Sequence, residues 1–183
     1  PEDGTTYSGK NEYHKVYYHE LGTAQAEDEL IFWNKDKPLR SFYAWVSDEE
    51  DAVVIYAGET TSGNQLHYKG DGDESFVPLN EGFDFDYLIL DHQDGKLLVY
   101  TNNGAANYRV VEMDLKNNAP ANWKELISAK EEVMEGAELA GGKLVCSYLK
   151  DVSSEINIHE LDGTFIQSIE FPTKGTVNFI GDR

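Results

Sequence analysis

One pattern occurs three times along the chain at nearly constant spacing. Phe42–Tyr56 is followed by Gln65–Asp71, Asp86–Tyr100 by Tyr108–Asp114, and Gly136–Tyr148 by Ile156–Asp162. Each unit reads as a strand, an acidic or glycine turn, a hydrophobic strand ending in tyrosine, a polar loop, and a third strand ending in aspartate. A fourth short β-run completes the unit. Tyr56, Tyr100 and Tyr148 lie 44 and 48 residues apart, and Asp71, Asp114 and Asp162 lie 43 and 48 apart. Four strands at such a period are the signature of a β-propeller blade, whose faces are buried against neighbouring blades. A Greek-key sandwich would not need so regular a spacing.

The local signals agree with an all-β chain. Tyr13–Leu21 and Leu30–Trp33 are rich in aromatic and β-branched residues, and the second run stops at Asn34–Pro38. Asp94-Gly95 between Tyr87–Leu90 and Lys96–Tyr100 is a hairpin signal, and Asp162-Gly163 is another tight turn. Trp123–Glu135 alone has helical composition; its strand-compatible residues make it a strand and loop with at most one helical turn. The frame of the repeat is informative. Tyr13–Glu20 matches the third strand of a unit and Glu29–Trp33 its fourth, while Val177–Ile180 matches a first strand. The expectation is a partial β-propeller of about four four-stranded antiparallel blades within one domain. Its divisions are 1–38 (the end of a blade), 39–80, 81–128, 129–173, and 174–183 as the first strand of the next. Such a set does not close into a ring, so the chain reads as a piece of a larger propeller, with open sides that should drive self-association.

Composition limits the partners. Thirty-four acidic against 15 basic residues give a net charge of −19, without a Lys/Arg stripe, which argues against nucleic acid and anionic membranes. No apolar run approaches the roughly 18–20 residues of a membrane span. Eleven Tyr and eight Phe argue against disorder despite the charge. The chain begins at Pro1 without Met, so it is expected to have been cut or trimmed. A single cysteine, Cys146, excludes an intrachain disulfide and a closed cysteine metal site; in a hydrophobic strand it reads as a buried structural thiol.

The remaining chemistry-bearing residues have structural readings. His14 and His19 differ in strand parity and should face opposite sides. His67 and His159 fall on equivalent third strands, which the repeat explains without a metal. Asp71-Gly72-Asp73-Glu74 lacks the glycine and closing glutamate of a calcium loop. Asp71, Asp114 and Asp162 are expected to accept turn amides, and the three repeat tyrosines to pack. No cofactor and no metal site are expected.

Several stretches resemble the propeller of the prolyl oligopeptidase family, in the family's order. His14-Lys15-Val16-Tyr17-Tyr18-His19 continues to Gly22-Thr23 and Glu27-Asp28. Asn107-Tyr108-Arg109, Trp123–Ile127, Tyr148–Val152 and His159-Glu160-Leu161 follow. The resemblance implies a serine-type prolyl oligopeptidase, cytoplasmic or alternatively periplasmic, that cleaves short peptides after proline. Its seven-bladed unclosed propeller would cap a C-terminal α/β-hydrolase domain and exclude folded proteins from the nucleophile. The partners implied are short proline-containing peptides and that hydrolase domain. The alternatives are a related oligopeptidase preferring basic residues, and a non-enzymatic propeller scaffold or peptide- or sugar-binding propeller.

No Gly-x-Ser-x-Gly elbow occurs here, nor a βαβ pattern to carry it. The expectation is therefore no catalytic residue, no peptidase activity from this chain alone, and a hydrolase domain that lies outside it. Function should reside in the connections between second and third strands, Ala57–Asn64, Thr101–Ala106 and Lys150–Ser154, and in Pro1–Glu12. By resemblance, Ala57, Gly58, Glu59 and Thr60 belong to a substrate-cavity loop, and Thr6, Tyr7, Ser8 and Gly9 to a gating loop. The arginine and cysteine that family members carry in the first of these loops are missing from Tyr56–Thr61.

Overall fold

The computed structural model describes residues 9–177 of the chain. Fourteen strands are present among them, with two isolated 3₁₀ turns at Gln25–Glu27 and Pro120–Asn122. The chain divides into two compact units, residues 1–84 and 85–183.

The first unit holds a two-stranded and a four-stranded antiparallel sheet. β1 (Lys15–Tyr18) pairs with β2 (Glu29–Trp33). β3 (Ser41–Val46), β4 (Ala52–Gly58), β5 (Gln65–Gly70) and β6 (Val77–Pro78) lie side by side in chain order. β4 is buried at Ala52, Val54, Ile55 and Ala57, on both faces, as its near-continuous apolar run requires. Phe42, Ile55 and Ala57 form the centre of the core, and Val16 and Phe32 bring the small sheet onto it. Phe32 meets the rings of Phe42, Phe76 and His67 at about 5 Å, a cluster of edge and tilted contacts. Burial followed by the Arg40 charge lowers the pKa of His67.

The second unit holds two four-stranded antiparallel sheets. The first contains β7 (Tyr87–Gln93), β8 (Lys96–Thr101), β9 (Arg109–Asp114) and β10 (Lys124–Ile127). The second contains β11 (Val133–Ala140), β12 (Lys143–Lys150), β13 (Ser153–His159) and β14 (Phe165–Ile169). Leu90, Val110 and Ile127 of one sheet share a buried cluster with Met134, Leu144, Cys146 and Tyr148 of the other. Full burial of each such side chain stabilises the fold by about 1.5–3 kcal/mol.

Turn chemistry determines where the hairpins bend. Asp94 and Gly95 have φ of 52° and 73°, the two positive values a two-residue hairpin needs between β7 and β8. Gly141-Gly142 does the same between β11 and β12. Between β3 and β4 the buried Ser47 hydroxyl accepts the Asp51 and Ala52 amides at 3.1 and 3.0 Å.

The all-β reading, with four-stranded antiparallel sheets at the repeat period, stands. Several details differ. Lys150–Ser154 is not a loop: β12 runs through Lys150 and β13 begins at Ser153, leaving only Asp151-Val152 as the turn. Strand pairing continues to Lys150↔Ser153 because ladder bonds outweigh the polar character of the segment. The helical turn lies at Pro120–Asn122, ahead of the stretch whose composition suggested it. Residues 174–177 carry no strand, and the rest of the expected Val177–Ile180 strand lies outside the described residues. Asp114 and Asp162 accept the Lys116 and Thr164 amides at 2.8 and 2.9 Å. In the first unit Asp73, not Asp71, takes that role, accepting the Gly70 amide at 2.8 Å. His14 contacts Phe42 and Tyr43 and His19 bonds Asp28; both lie just outside β1, so strand parity does not govern them.

Candidate functional site

In each four-stranded sheet the connection between second and third strands emerges at the end opposite the other two turns. In the first unit this connection follows β4. Ala57 is fully buried with Phe42 and Ile55, so its side chain holds the strand and does not reach solvent. Gly58 lies over Ser41, whose hydroxyl donates to its carbonyl at 3.4 Å. Glu59 is held by Arg40: Nε and Nη2 both reach Oε1 at 2.7 Å. The Arg40 guanidinium also stands 4.9 Å from the Phe83 ring centroid. Charge pairing and a cation–π contact thus orient the loop through a residue 19 positions earlier. A cavity of about 310 Å³ opens beside this pair, lined by Lys37, Pro38, Leu39, Arg40 and Glu59.

The rest of this loop is fastened from beneath. The Thr60 hydroxyl donates to the Ser62 carbonyl at 2.7 Å. Gly63 has φ +73°, and an added Cβ would run into the Phe83 carbonyl. Asn80 accepts the Leu66 amide at 2.7 Å and donates to the Asn64 carbonyl at 3.0 Å. Of the expected gating residues, Gly9 lies in an exposed bend, and Thr6, Tyr7 and Ser8 lie outside the described residues.

The equivalent connection of the second unit, residues 102–108, is a polar lock. The Tyr108 hydroxyl donates to Asp86 at 2.7 Å, and Asn102 donates to the same carboxylate oxygen at 3.1 Å. Asp86 returns its own amide to Asn102 Oδ1 at 2.8 Å. This bonding, then partial burial, pushes the Tyr108 phenol up to about 12. The Tyr100 hydroxyl donates to the Met134 carbonyl at 2.6 Å, and burial raises its pKa well above the usual range. Asn107 donates to the carbonyls of Lys130 and Glu131 at 3.0 and 2.9 Å, and its carbonyl accepts the Met134 amide. Asn107 and Tyr100 therefore clamp the two sheets of this unit together, while Tyr108 closes the connection onto its own sheet. Arg109 pairs with Glu125 at 2.9 Å and lies 6.0 Å from the Trp123 ring.

The third connection is the Asp151-Val152 turn, with φ of 48° and 61°; Val152 is 87% exposed. Cys146 is fully buried, and burial pushes its thiol up to about 12, which leaves no reactive thiolate at neutral pH. Sequence reasoning named the Glu59 loop and the Asn107-Tyr108-Arg109 motif but not Arg40 or Asp86. Their partners lie 19 and 22 residues away, beyond any local signal.

Four-strand antiparallel sheets at a period of 43–48 residues, with linked second-to-third connections, define a segment of a β-propeller. The family described as "Prolyl oligopeptidase, N-terminal beta-propeller domain" matches residues 1–182, and the chain belongs to that family. A prolyl endopeptidase of Elizabethkingia miricola is 32% identical over 182 residues, covering 99% of this chain and 26% of the relative. That of Elizabethkingia meningoseptica is 31% identical over the same length. A solved prolyl endopeptidase structure superimposes with a TM-score of 0.81 at 26% identity, over 88% of this chain and 24% of that one. Prolyl oligopeptidase B of Galerina marginata shares the fold, with a TM-score of 0.80 at 22% identity. The chain thus spans about a quarter of the length of the relatives it matches.

Proposed function

We propose that this chain is the propeller segment of a serine-type prolyl oligopeptidase that hydrolyses short peptides after proline. Within that enzyme it gates and partly lines the substrate cavity, and the catalytic groups belong to a separate α/β-hydrolase domain. The observation that carries this reading is the family match over residues 1–182. The fastened loops add support. Gly58–Thr60 and 102–108 are held by buried cores and charge-assisted bonds, as a rigid cavity wall requires. Gly58, Glu59 and Thr60 are the wall residues in this proposal, and Ala57 is their anchor.

The chain alone carries no nucleophile elbow, so the proposal includes its inactivity. It also includes self-association through sheet edges left open. Hydrolysis of a chromogenic Gly-Pro peptide tests the first part, measured beside the intact mass. No turnover is expected from the 183-residue chain, and turnover is expected when it is joined to a prolyl oligopeptidase hydrolase domain. Turnover by the chain itself, at its own mass and free of contaminants, would overturn the reading.

A further inference from the structure

Residues 9–14 lead into β1, and two hydrogen bonds fasten them to the chain that enters β3 and to β3 itself. The Tyr13 amide donates to the Pro38 carbonyl at 2.7 Å. The Phe42 amide donates to His14 Nδ1 at 2.8 Å. Phe42 is 3% exposed in the core of the first unit, so the imidazole is tied to a fixed point. Tyr13 has φ +57°, the left-handed region that is costly for a bulky side chain. Bonds at Tyr13 itself and at the next residue hold that conformation.

The direction of the second bond fixes the state of the ring. A backbone N–H only donates, so Nδ1 must offer its lone pair, and the ring is neutral with its hydrogen on Nε2. His19 and His159 differ. Each sets Nδ1 against an oxygen, of Asp28 at 2.7 Å and of Gly163 at 3.1 Å, a contact that a protonated ring also makes. A proton on His14 Nδ1 leaves two N–H groups facing each other and breaks the bond to Phe42.

We infer that His14 is a proton-operated fastener: protonating its ring releases residues 9–14 from β3 and lets Tyr13 relax to extended backbone. For its part in peptide entry this rests on the gating proposed above, and it names the group that regulates it. The charges around the ring act in the same direction as the lost bond. Lys10, Glu12, Tyr13, Lys15 and Tyr17 on one side and Arg40 and Tyr43 on the other line one hollow with His14. Lys10 pairs with Glu12 at 2.8 Å and Arg40 with Glu59 at 2.7 Å, while Lys15 lies 4.7 Å from the Trp33 ring centroid. A positive ring thus joins three cations and one carboxylate in that hollow, and repulsion adds to the lost bond.

The test is nitrogen-15 NMR of the 183-residue chain from about pH 8 to about pH 5, the range in which histidine changes charge. At the upper end the His14 ring should carry its hydrogen on Nε2, and the Phe42 amide should be protected from exchange. Toward the lower end that protection should fall by at least about tenfold, the effect of one lost hydrogen bond, while Ile55 in β4 keeps its own. The amide order of residues 9–13 should fall with the same midpoint as the His14 ring. His14→Asn offers an uncharged oxygen in place of Nδ1 and should remove the pH dependence. Phe42 protection that is equal at both ends, or that changes at a midpoint other than that of the His14 ring, overturns the inference. A pH dependence that persists in His14→Asn overturns it too. Peptide turnover by the chain joined to a prolyl oligopeptidase hydrolase domain separates this inference from the gating reading, and His14→Asn should alter the acid side of its pH profile. If the fastener opens with pH but that profile is unchanged by His14→Asn, the fastener stands and its gating role falls.

Discussion

The Tyr108 hydroxyl donates to the Asp86 carboxylate at 2.7 Å across 22 residues of sequence. Its ring stacks on Tyr100 with centroids 4.6 Å apart and planes 8° from parallel. One tyrosine thus closes the 102–108 connection onto the first residues of its own sheet, and its neighbour Asn107 closes it onto the next. Tyr108→Phe keeps the stack and deletes the charge-assisted bond. Urea unfolding should show a loss of about 1 kcal/mol, at the low end for such bonds because Tyr108 is partly open to water. An unchanged midpoint would show that Asn102 alone satisfies Asp86.

Alkaline pH should unfold the protein earlier than its acidic composition suggests. Hydrogen bonding to Asp86 raises Tyr108 from about 10 to about 12, and burial raises Cys146 from about 9 to about 12. A group raised in the folded state holds its proton longer there than in the unfolded chain. Its contribution is therefore complete below the unfolded value and is lost as pH rises toward the folded one. The unfolding midpoint should hold up to about pH 9 and then fall through pH 12. Tyr108→Phe should shallow that fall, and an equal slope in both proteins would assign it to other groups.

Cys146 should resist alkylation at pH 8 in the folded protein and react readily in urea. Its thiol is fully buried in β12, and burial disfavours the thiolate that an alkylating reagent needs. Mass spectrometry after iodoacetamide treatment reads the difference. Rapid modification without denaturant would mean that β12 opens locally.

Glycine substitutions should separate strain from collision. Gly95→Ala meets open space at φ +73°, so it carries only the left-handed penalty of about 1–2 kcal/mol. Gly63→Ala and Gly163→Ala add a Cβ that collides with the Phe83 and Leu126 carbonyls. Each should lose more than about 3 kcal/mol, beyond the usual range of single substitutions. Thermal melts of the three variants rank them, and equal losses would contradict this ordering.

Val152→Gly should stabilise the protein. Val152 is a β-branched residue at φ +61° in a two-residue turn, and it makes little contact at 87% exposure. Asp-Gly is the preferred pair for such a turn, so the gain should be about 1 kcal/mol. A lower melting temperature would mean that Val152 gains more from packing than it loses in backbone strain.

The sequence by itself determined the strands, their period and most of the turns. These are local properties: alternation and β-branched content make a strand, and Asp94-Gly95 bends a hairpin whatever surrounds it. Local reading failed where pairing overrode composition, as at Lys150–Ser154, where the ladder extends to the last polar residue. It also failed at the first repeat turn, where Asp73 and not Asp71 accepts the Gly70 amide. Only the tertiary structure decided which distant groups meet. Arg40 with Glu59, Tyr108 with Asp86, and His14 with the Phe42 amide are separated by 19, 22 and 28 residues. No periodicity encodes such pairs, because they depend on strand register within a sheet and, for His14, on how two sheets meet. The exposure of β14 belongs with them: a run of apolar residues spells a strand, and only packing decides whether a neighbour covers it.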